Sequence, residues 1–300
     1  MSDPTRPGRI SVGRIGARPI FVWQFGPIAV EARRDQLGAV TVSNLQHKIC
    51  LITGSTGIAE ATALKAAEQG ARVFVVSRTE ENCRGLAAKL GGQGAYRAAD
   101  LTRGDQVEAA VAACVEQWGR IDGLFNVAGI SGRRFGDGPL HERTEEGWDM
   151  TMDANLKSMF LMNRAVLNQM VGQGENIKGI RGAILNMASV LAFSPERNFF
   201  ASHAYAASKG AIVSMSKAAA AYYAPLKIRV NAIAPALVET PMSKRAGENA
   251  DIMAFMREKQ PLGEMMAAED VAGMAVFLLG DGARAITGDV VTVDAGWCVS

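Results

Sequence analysis

Residues 48–78 read KICLITGSTGIAEATALKAAEQGARVFVVSR, and this stretch decides the fold. Ile49–Thr53 is a short apolar run that stops at Gly54-Ser55-Thr56-Gly57. From Gly57 to Gln69 the apolar residues Ile58, Ala61, Leu64 and Ala66 recur at roughly helical spacing. Arg72–Ser77 is then β-branched, with Val73, Val75 and Val76. Strand, glycine turn, helix and strand in this order form a βαβ unit. Its two strands are parallel and its crossover is right-handed.

The alternation continues to the end of the chain. Helices are expected at Glu80–Leu90, Asp105–Trp118, Trp148–Val171, Ala204–Ala224 and Val271–Leu279. Strands are expected at Ala95–Ala99, Asp122–Asn126, Gly182–Met187, Ile228–Ile233 and Val290–Val293, and residues 240–260 read as a mobile helical insertion. Seven strands joined through helices predict an α/β fold. It is a single doubly wound parallel sheet, Rossmann-like, with helices on both faces.

Composition narrows the function classes. The formal net charge is +2, and residues 1–46 carry six arginines against three acids, so the remaining chain is nearly neutral. That balance gives no reason to expect nucleic acid or a membrane surface as partner. No apolar run is long enough to span a bilayer. Cys50, Cys83, Cys114 and Cys298 fit neither a metal knuckle nor a disulfide framework. They read as reduced thiols of a cytoplasmic protein, with Cys50 and Cys114 in the core and no metal site. Residues 1–41 contain Pro4, Pro7, Pro19 and Pro27 and show no sustained period. They read as a poorly ordered extension, as an Arg-rich transit peptide, or as a start-site artefact with translation beginning at Val40 or Val42. The folded domain is expected over residues 42–300.

The turn Gly54–Gly57, between a strand and a helix, suits a pyrophosphate. Small residues let the backbone approach, and the helix N-terminus offers free N–H groups. The same glycines also serve a purely structural turn. The next strand ends at Ser77-Arg78 without the acid that would hold an NAD ribose. Arg78 suits a 2′-phosphate, which favours NADP(H) over NAD(H), unless it is simply a solvated strand-end arginine.

Tyr205 and Lys209 stand four apart at the start of a helix and share a face. A neighbouring ammonium is expected to lower the tyrosine pKa and fit the phenol for proton transfer near neutral pH. Ser189 follows a strand, at the carboxyl edge where open α/β sheets bind ligands.

In order along the chain stand Thr53-Gly54…Gly57, Asn126-Val127-Ala128-Gly129, Asn155, Ser189, Tyr205…Lys209 and Asn231…Pro235…Thr240-Pro241. From Leu45 to Asp294-Ala295-Gly296-Trp297 this set resembles the short-chain dehydrogenase/reductase family. The resemblance implies an NAD(P)-dependent oxidoreductase acting on a carbonyl or secondary alcohol. In it Tyr205 is the general acid/base, and Lys209 binds the nicotinamide ribose and depresses the Tyr205 pKa. Ser189 hydrogen-bonds the substrate oxygen, and Asn155 holds a water that links Lys209 to solvent. It implies cofactor contacts from Gly54, Ser55, Thr56, Gly57, Ile58, Arg78, Asp100, Leu101, Asn126, Ala128, Gly129, Pro235, Val238 and Thr240, besides Tyr205 and Lys209. Asn126 is expected chiefly to tie strands together. The resemblance also implies a homodimer or homotetramer paired through the helices after Met150 and His203.

Three departures bear on this. Two residues, not the family's usual three, separate Gly54 from Gly57, and Ala59 takes the place of a third glycine. Ala236 stands after Pro235 where glycine is usual, which costs on the order of 1 kcal/mol if that position needs a positive φ. An impaired phosphate loop leaves a second reading open, a non-catalytic ligand- or partner-binding protein on the same fold. Phe193, Phe199, Phe200, Met242, Met253, Met256, Met265 and Met266 form either an apolar substrate pocket or the packing of a lid. Arg133 and Arg134 are either anion contacts or a solvated pair, and His203 either an extra acid or a structural residue.

Overall fold

The computed structural model describes the backbone of residues 10–15 and 18–23, and residues 45–300 apart from 264. The chain divides into two units, Met1–Thr41 and Val42–Ser300. In the first, β1 (Ile10–Ile15) and β2 (Arg18–Trp23) pair antiparallel, from Ile10 opposite Trp23 to Ile15 opposite Arg18. Sequence reading expected no element there; the strands are rich in β-forming Ile, Val, Phe and Trp. The other expectations for residues 1–41 fall outside the described residues.

The second unit holds β3 (Ile49–Thr53), β4 (Arg72–Ser77), β5 (Gly94–Ala98), β6 (Gly123–Asn126), β7 (Gly182–Met187), β8 (Ile228–Pro235) and β9 (Val290–Val293). They form one seven-stranded sheet in the order β5-β4-β3-β6-β7-β8-β9. Every neighbouring pair is parallel. The order reverses between β3 and β6, which places a crevice above their carboxyl ends.

The central strands β3, β6, β7 and β8 are buried along their whole length, as a sheet covered on both faces requires. Alternate residues of β3 serve the two cores. Cys50 and Ile52 pack with α1 (Ile58–Glu68), α2 (Glu80–Lys89) and α9 (Ala268–Leu279). Ile49 and Leu51 pack with α3 (Gly104–Trp118) and α5 (Ser158–Gly172). Cys50 and Cys114 are buried, as expected, and so is Cys83. Among the described residues no helix is long and apolar enough to cross a membrane.

The single helix expected over 148–171 is broken. α4 (Glu145–Met152) starts earlier because the Thr144 hydroxyl accepts from Gly147 N and two glutamates occupy its first turn. A π-helical turn, Asp153–Lys157, then precedes α5. α6 spans His203–Tyr223. The insertion folds into α7 (Lys244–Gly247) and α8 (Ala250–Lys259).

Candidate active site

The short turn after β3 closes onto β4. Gly54 N donates to Val76 O at 2.8 Å, and the Ser55 hydroxyl lies 2.9 Å from that of Ser77. Gly54 and Gly57 adopt φ of +96° and +58°, open to glycine and strained for other residues. A Cβ on Gly54 would meet the Ala59 methyl at 3.1 Å. Ala59 thus fills the space where a third glycine would stand. Gly57 begins α1 without a side-chain cap, so the first N–H groups of the helix are left for a ligand. Thr240, after β8, lies against Gly57: a Cβ there would fall 2.9 Å from the Thr240 methyl. Ala236 is not among the residues with positive φ, so the alanine carries no strain.

Ends of adjacent strands gather the adenosine-side candidates. Arg78 is exposed at the end of β4. Asp100 follows β5, and its carboxylate accepts from Thr102 N and Oγ1 at 2.9 and 2.7 Å. Those two bonds hold its pKa below the usual value, and the Arg78 charge adds to the effect. Leu101 is buried beside it, and Val238 is buried between Pro235 and Thr240.

Thr53 Oγ1 donates to Asn126 Oδ1 at 3.1 Å and accepts from Val127 N and Ala128 N at 2.9 and 3.1 Å. Asn126 Nδ2 donates to Met159 O at 3.1 Å. The Asn126 amide is therefore spent on tying β3, β6 and α5. Its side chain is taken up by the fold, as expected, and Thr53 orders the backbone at Val127 and Ala128 next to it. Ile58, at the start of α1, is partly exposed.

Four residues converge at the carboxyl ends of β6 and β7. Ser189 is buried and its Oγ accepts from Leu191 N at 3.2 Å. Tyr205, on the first turn of α6, hydrogen-bonds Ser189 through its side chain. Lys209 is 2% exposed and donates to Met187 O at 2.7 Å, with its Nζ 5.5 Å from the Tyr205 ring centroid. Asn155 sits in the π-helical turn. It accepts from Ile130 N at 2.7 Å and donates to Ile130 O at 3.1 Å and to Ser208 Oγ at 3.2 Å. One extra residue per turn aims this side chain across the bundle, a common use of such turns at functional sites. A Cβ on Gly129 would come 2.8 Å from Asn155 Oδ1. Only glycine fits between that amide and the cleft.

The electrostatics correct one expectation. Burial raises the Tyr205 pKa, and the Ser189 hydrogen bond is what opposes the rise, with no contribution from Lys209. Burial also pushes the Lys209 ammonium down to about 7. Four-residue spacing gives a shared face, but the low-dielectric surroundings act on both groups and disfavour both charged forms.

Asp137 was not legible in the sequence. It is 6% exposed, and its two oxygens accept from Ala204 N at 3.0 Å and Tyr205 N at 2.8 Å. A carboxylate delivered by another loop thus caps the helix that carries Tyr205, where the helix dipole favours a negative charge. Gly132 makes room for it: a Cβ there would approach the Asp137 Cβ at 2.8 Å. His203 is exposed, and its backbone N–H bonds Gly138 O. Phe199, Phe200, Phe255 and Trp297 stack edge-on or tilted in a satellite core with Val190 and Met256. For Phe199, Phe200 and Met256 the lid-packing reading therefore holds, whereas Phe193 and Met242 stay 49% and 53% exposed.

Residues 52–298 match the family model described as enoyl-(acyl carrier protein) reductase. A 3-oxoacyl-[acyl-carrier-protein] reductase of Thermotoga maritima is 36% identical over 84% of this chain and 98% of its own. D-threitol dehydrogenase of Mycolicibacterium smegmatis is 36% identical over 85% and 94%. Among solved structures, the NADH complex of a Brucella melitensis 3-ketoacyl-(acyl-carrier-protein) reductase superposes with a TM-score of 0.76 at 32% identity, over 85% of this chain and 100% of that one. The chain belongs to the short-chain dehydrogenase/reductase family. It is an oxidoreductase that moves a hydride with a nicotinamide cofactor, so the non-catalytic reading falls away.

Proposed function

We propose that the protein interconverts a carbonyl and a secondary alcohol with NADP(H), using Tyr205 as general acid/base. The observation that carries this reading is the convergence of Ser189, Tyr205 and Lys209, with Asn155 behind them, beside the glycine-lined crevice. The residues fit a dinucleotide: Gly57 leaves the α1 N-terminus uncapped, and Gly129 has no room for a side chain. Gly54, Ser55, Gly57 and Ile58 would hold the pyrophosphate. Arg78 would hold the 2′-phosphate, and Thr240 the carboxamide end. The bound nicotinamide supplies or accepts the hydride.

In the reducing direction Ser189 Oγ hydrogen-bonds the substrate oxygen as negative charge grows on it. The Tyr205 hydroxyl gives that oxygen its proton. The Ser189 hydroxyl stabilises the phenolate left behind, Lys209 lies beside the ring, and Asn155 fixes the Ile130 backbone and the Ser208 hydroxyl around it. The raised Tyr205 pKa keeps the phenol protonated and ready to donate at neutral pH. Oxidation runs the same steps backwards.

One relative is a 3-oxoacyl-[acyl-carrier-protein] reductase and another a D-threitol dehydrogenase, so the proposal stops at the carbonyl/alcohol class. Homodimer or homotetramer formation is part of the reading. Met150, Phe160 and Tyr222 are 42%, 46% and 73% exposed on α4, α5 and α6, the region through which the resemblance pairs subunits. Sedimentation of a monomer would reject it.

Fluorescence titration with NADPH and NADH tests the cofactor choice. NADPH is expected to bind more tightly, and Arg78→Ala to weaken NADPH by about tenfold more than NADH. Equal losses would remove the 2′-phosphate contact.

A further inference from the structure

Two residues, Ser55 and Thr56, stand between the glycines of the phosphate turn, and both glycines hold a positive φ. Such a turn meets an anion with its backbone N–H groups, and any freedom it keeps is lost when the ligand arrives. Here the turn is pinned along its length. Gly54 N donates to Val76 O at 2.8 Å, and Gly57 lies against the Thr240 side chain. Between them the Ser55 hydroxyl lies 2.9 Å from that of Ser77, and Ser77 Oγ lies 3.0 Å from Cys83 Sγ. The Cys83 thiol also donates to Ser77 O at 3.5 Å.

Three segments are joined in this way: the turn, the last residue of β4 and the first turn of α2. The inner end is fixed, since Cys83 is 0% exposed and belongs to the core cluster of Ile52, Val75 and Leu86. The outer end is Ser55, partly exposed at the crevice. Ser77 Oγ has one proton and two lone pairs, enough to serve both neighbours at once. Ser77 also stands where an acid would hold an NAD ribose. Its hydroxyl is committed to the phosphate turn and the core instead.

We infer that the Ser55–Ser77–Cys83 chain presets the short phosphate turn, holding its N–H groups in the binding conformation before the cofactor arrives. Ser77 and Cys83 are positioning residues that act on the pyrophosphate through Ser55. The inference rests on the proposed seating of the pyrophosphate at Gly54–Gly57. It separates two tasks at the end of β4. Arg78 discriminates between the cofactors, while Ser77 sets the affinity for both, because the pyrophosphate is common to NADPH and NADH.

Fluorescence titration and amide hydrogen exchange of the intact protein test it. Ser77→Ala should weaken NADPH and NADH by the same factor, about fivefold, and Ser77→Thr, which keeps the hydroxyl, should recover most of that loss. In the cofactor-free protein Ser77→Ala should speed exchange across residues 53–60 by a similar factor, with β7 unchanged. Cys83→Ala should have the same effect to a smaller extent. One glycine inserted between Ser55 and Thr56 restores the family's usual spacing. In that background the Ser77→Ala loss should shrink below about twofold, since a turn of the usual length does not depend on the brace. If the lengthened protein binds neither cofactor, the exchange comparison decides. Unchanged exchange in the turn overturns the inference. So does a loss confined to NADPH, which would make Ser77 a 2′-phosphate contact, and so does an undiminished loss in the lengthened turn. Gly57→Asp tests the seating itself, by adding a carboxylate and a Cβ at a positive φ. Retained binding of both cofactors would remove the pyrophosphate from the turn. Lost binding, together with unchanged exchange in the Ser77→Ala protein, would keep the seat and discard the brace alone.

Discussion

Asp122 and Lys209 are both buried and charged, at opposite edges of one sheet, and the sheet treats them differently. Asp122, at the amino-terminal edge, accepts from Ile49 N at 3.0 Å and from Arg120 Nε at 2.8 Å. Most of its neighbours are occupied too, although the buried Arg229 Nε has no partner among the described residues and burial pushes that guanidinium down to about 10. Gln173 bonds the backbone of Ile121 and Arg181, Arg229 donates to Gly280 O and Ile286 O, and Lys48 pairs with Asp281 at 2.8 Å. Lys209, at the carboxyl edge, has Met187 O as its hydrogen-bond acceptor, although an ammonium has three donors. The amino-terminal edge closes most of its polar groups on each other and serves stability. The other keeps valences open and loses solvation, which serves chemistry at the expense of stability.

The sharpest way to break this contrast is Tyr205→Phe. Turnover should fall by about a thousandfold, the usual range for removing a general acid. Cofactor affinity should stay within a few-fold and the melting temperature near that of the wild type. Retained turnover would end the acid/base assignment. Asp122→Ala should do the reverse. It strips two donors of a charged acceptor, so unfolding in urea should show a loss of about 2–3 kcal/mol. kcat measured on the folded protein should hold. A fall in kcat would mean the two edges are coupled.

Asp137 belongs to neither edge alone, since its carboxylate is buried like Asp122 yet ends on Tyr205 N. We treat it as a positioning residue. Asp137→Ala should cost about 1 kcal/mol of stability, the scale of a lost helix cap. It should also lower kcat more than cofactor affinity, and Asp137→Asn, which keeps one acceptor, should recover part of the kcat. Equal losses in kcat and cofactor affinity would reduce it to a structural cap.

The sequence carried the fold because each strand of the sheet is a short apolar run bounded by a turn, and every expected strand appears within two residues. The candidate quartet was legible through the ordered family motifs, with the Tyr205–Lys209 spacing the clearest of them. What escaped depends on contacts between distant segments. The π-helical turn adds a residue inside an apolar pattern that reads as one helix, so Asn155 could be named but not aimed. Asp137 reaches Ala204 and Tyr205 across the loop at Gly132, and nothing local marks it. The shortened phosphate turn was visible, but not that Ser55 would settle on Ser77. Spacing alone also set the wrong sign for the Tyr205 pKa, because burial depends on the whole fold.

The smallest expected effect separates charge from packing at Lys209. Its folded pKa, about 7, lies below the ordinary lysine value of 10.5. Between these values the unfolded chain holds a proton that the folded protein has lost. Stability should therefore rise with pH across that window through this group, and the burden should be complete below about pH 7, where the folded ammonium is charged and buried. Lys209→Met keeps much of the volume and removes the ionisation. It should raise the melting temperature at pH 6–7 by a few degrees, on the scale expected for a chain of this size. It should also flatten the slope of stability between pH 7 and 10. Asp122→Asn, by contrast, should lower the melting temperature at the same pH, since its carboxylate is matched with partners. If Lys209→Met is instead destabilising and the slope persists, the ammonium is better solvated than its burial implies, and the carboxyl edge is as closed as the other.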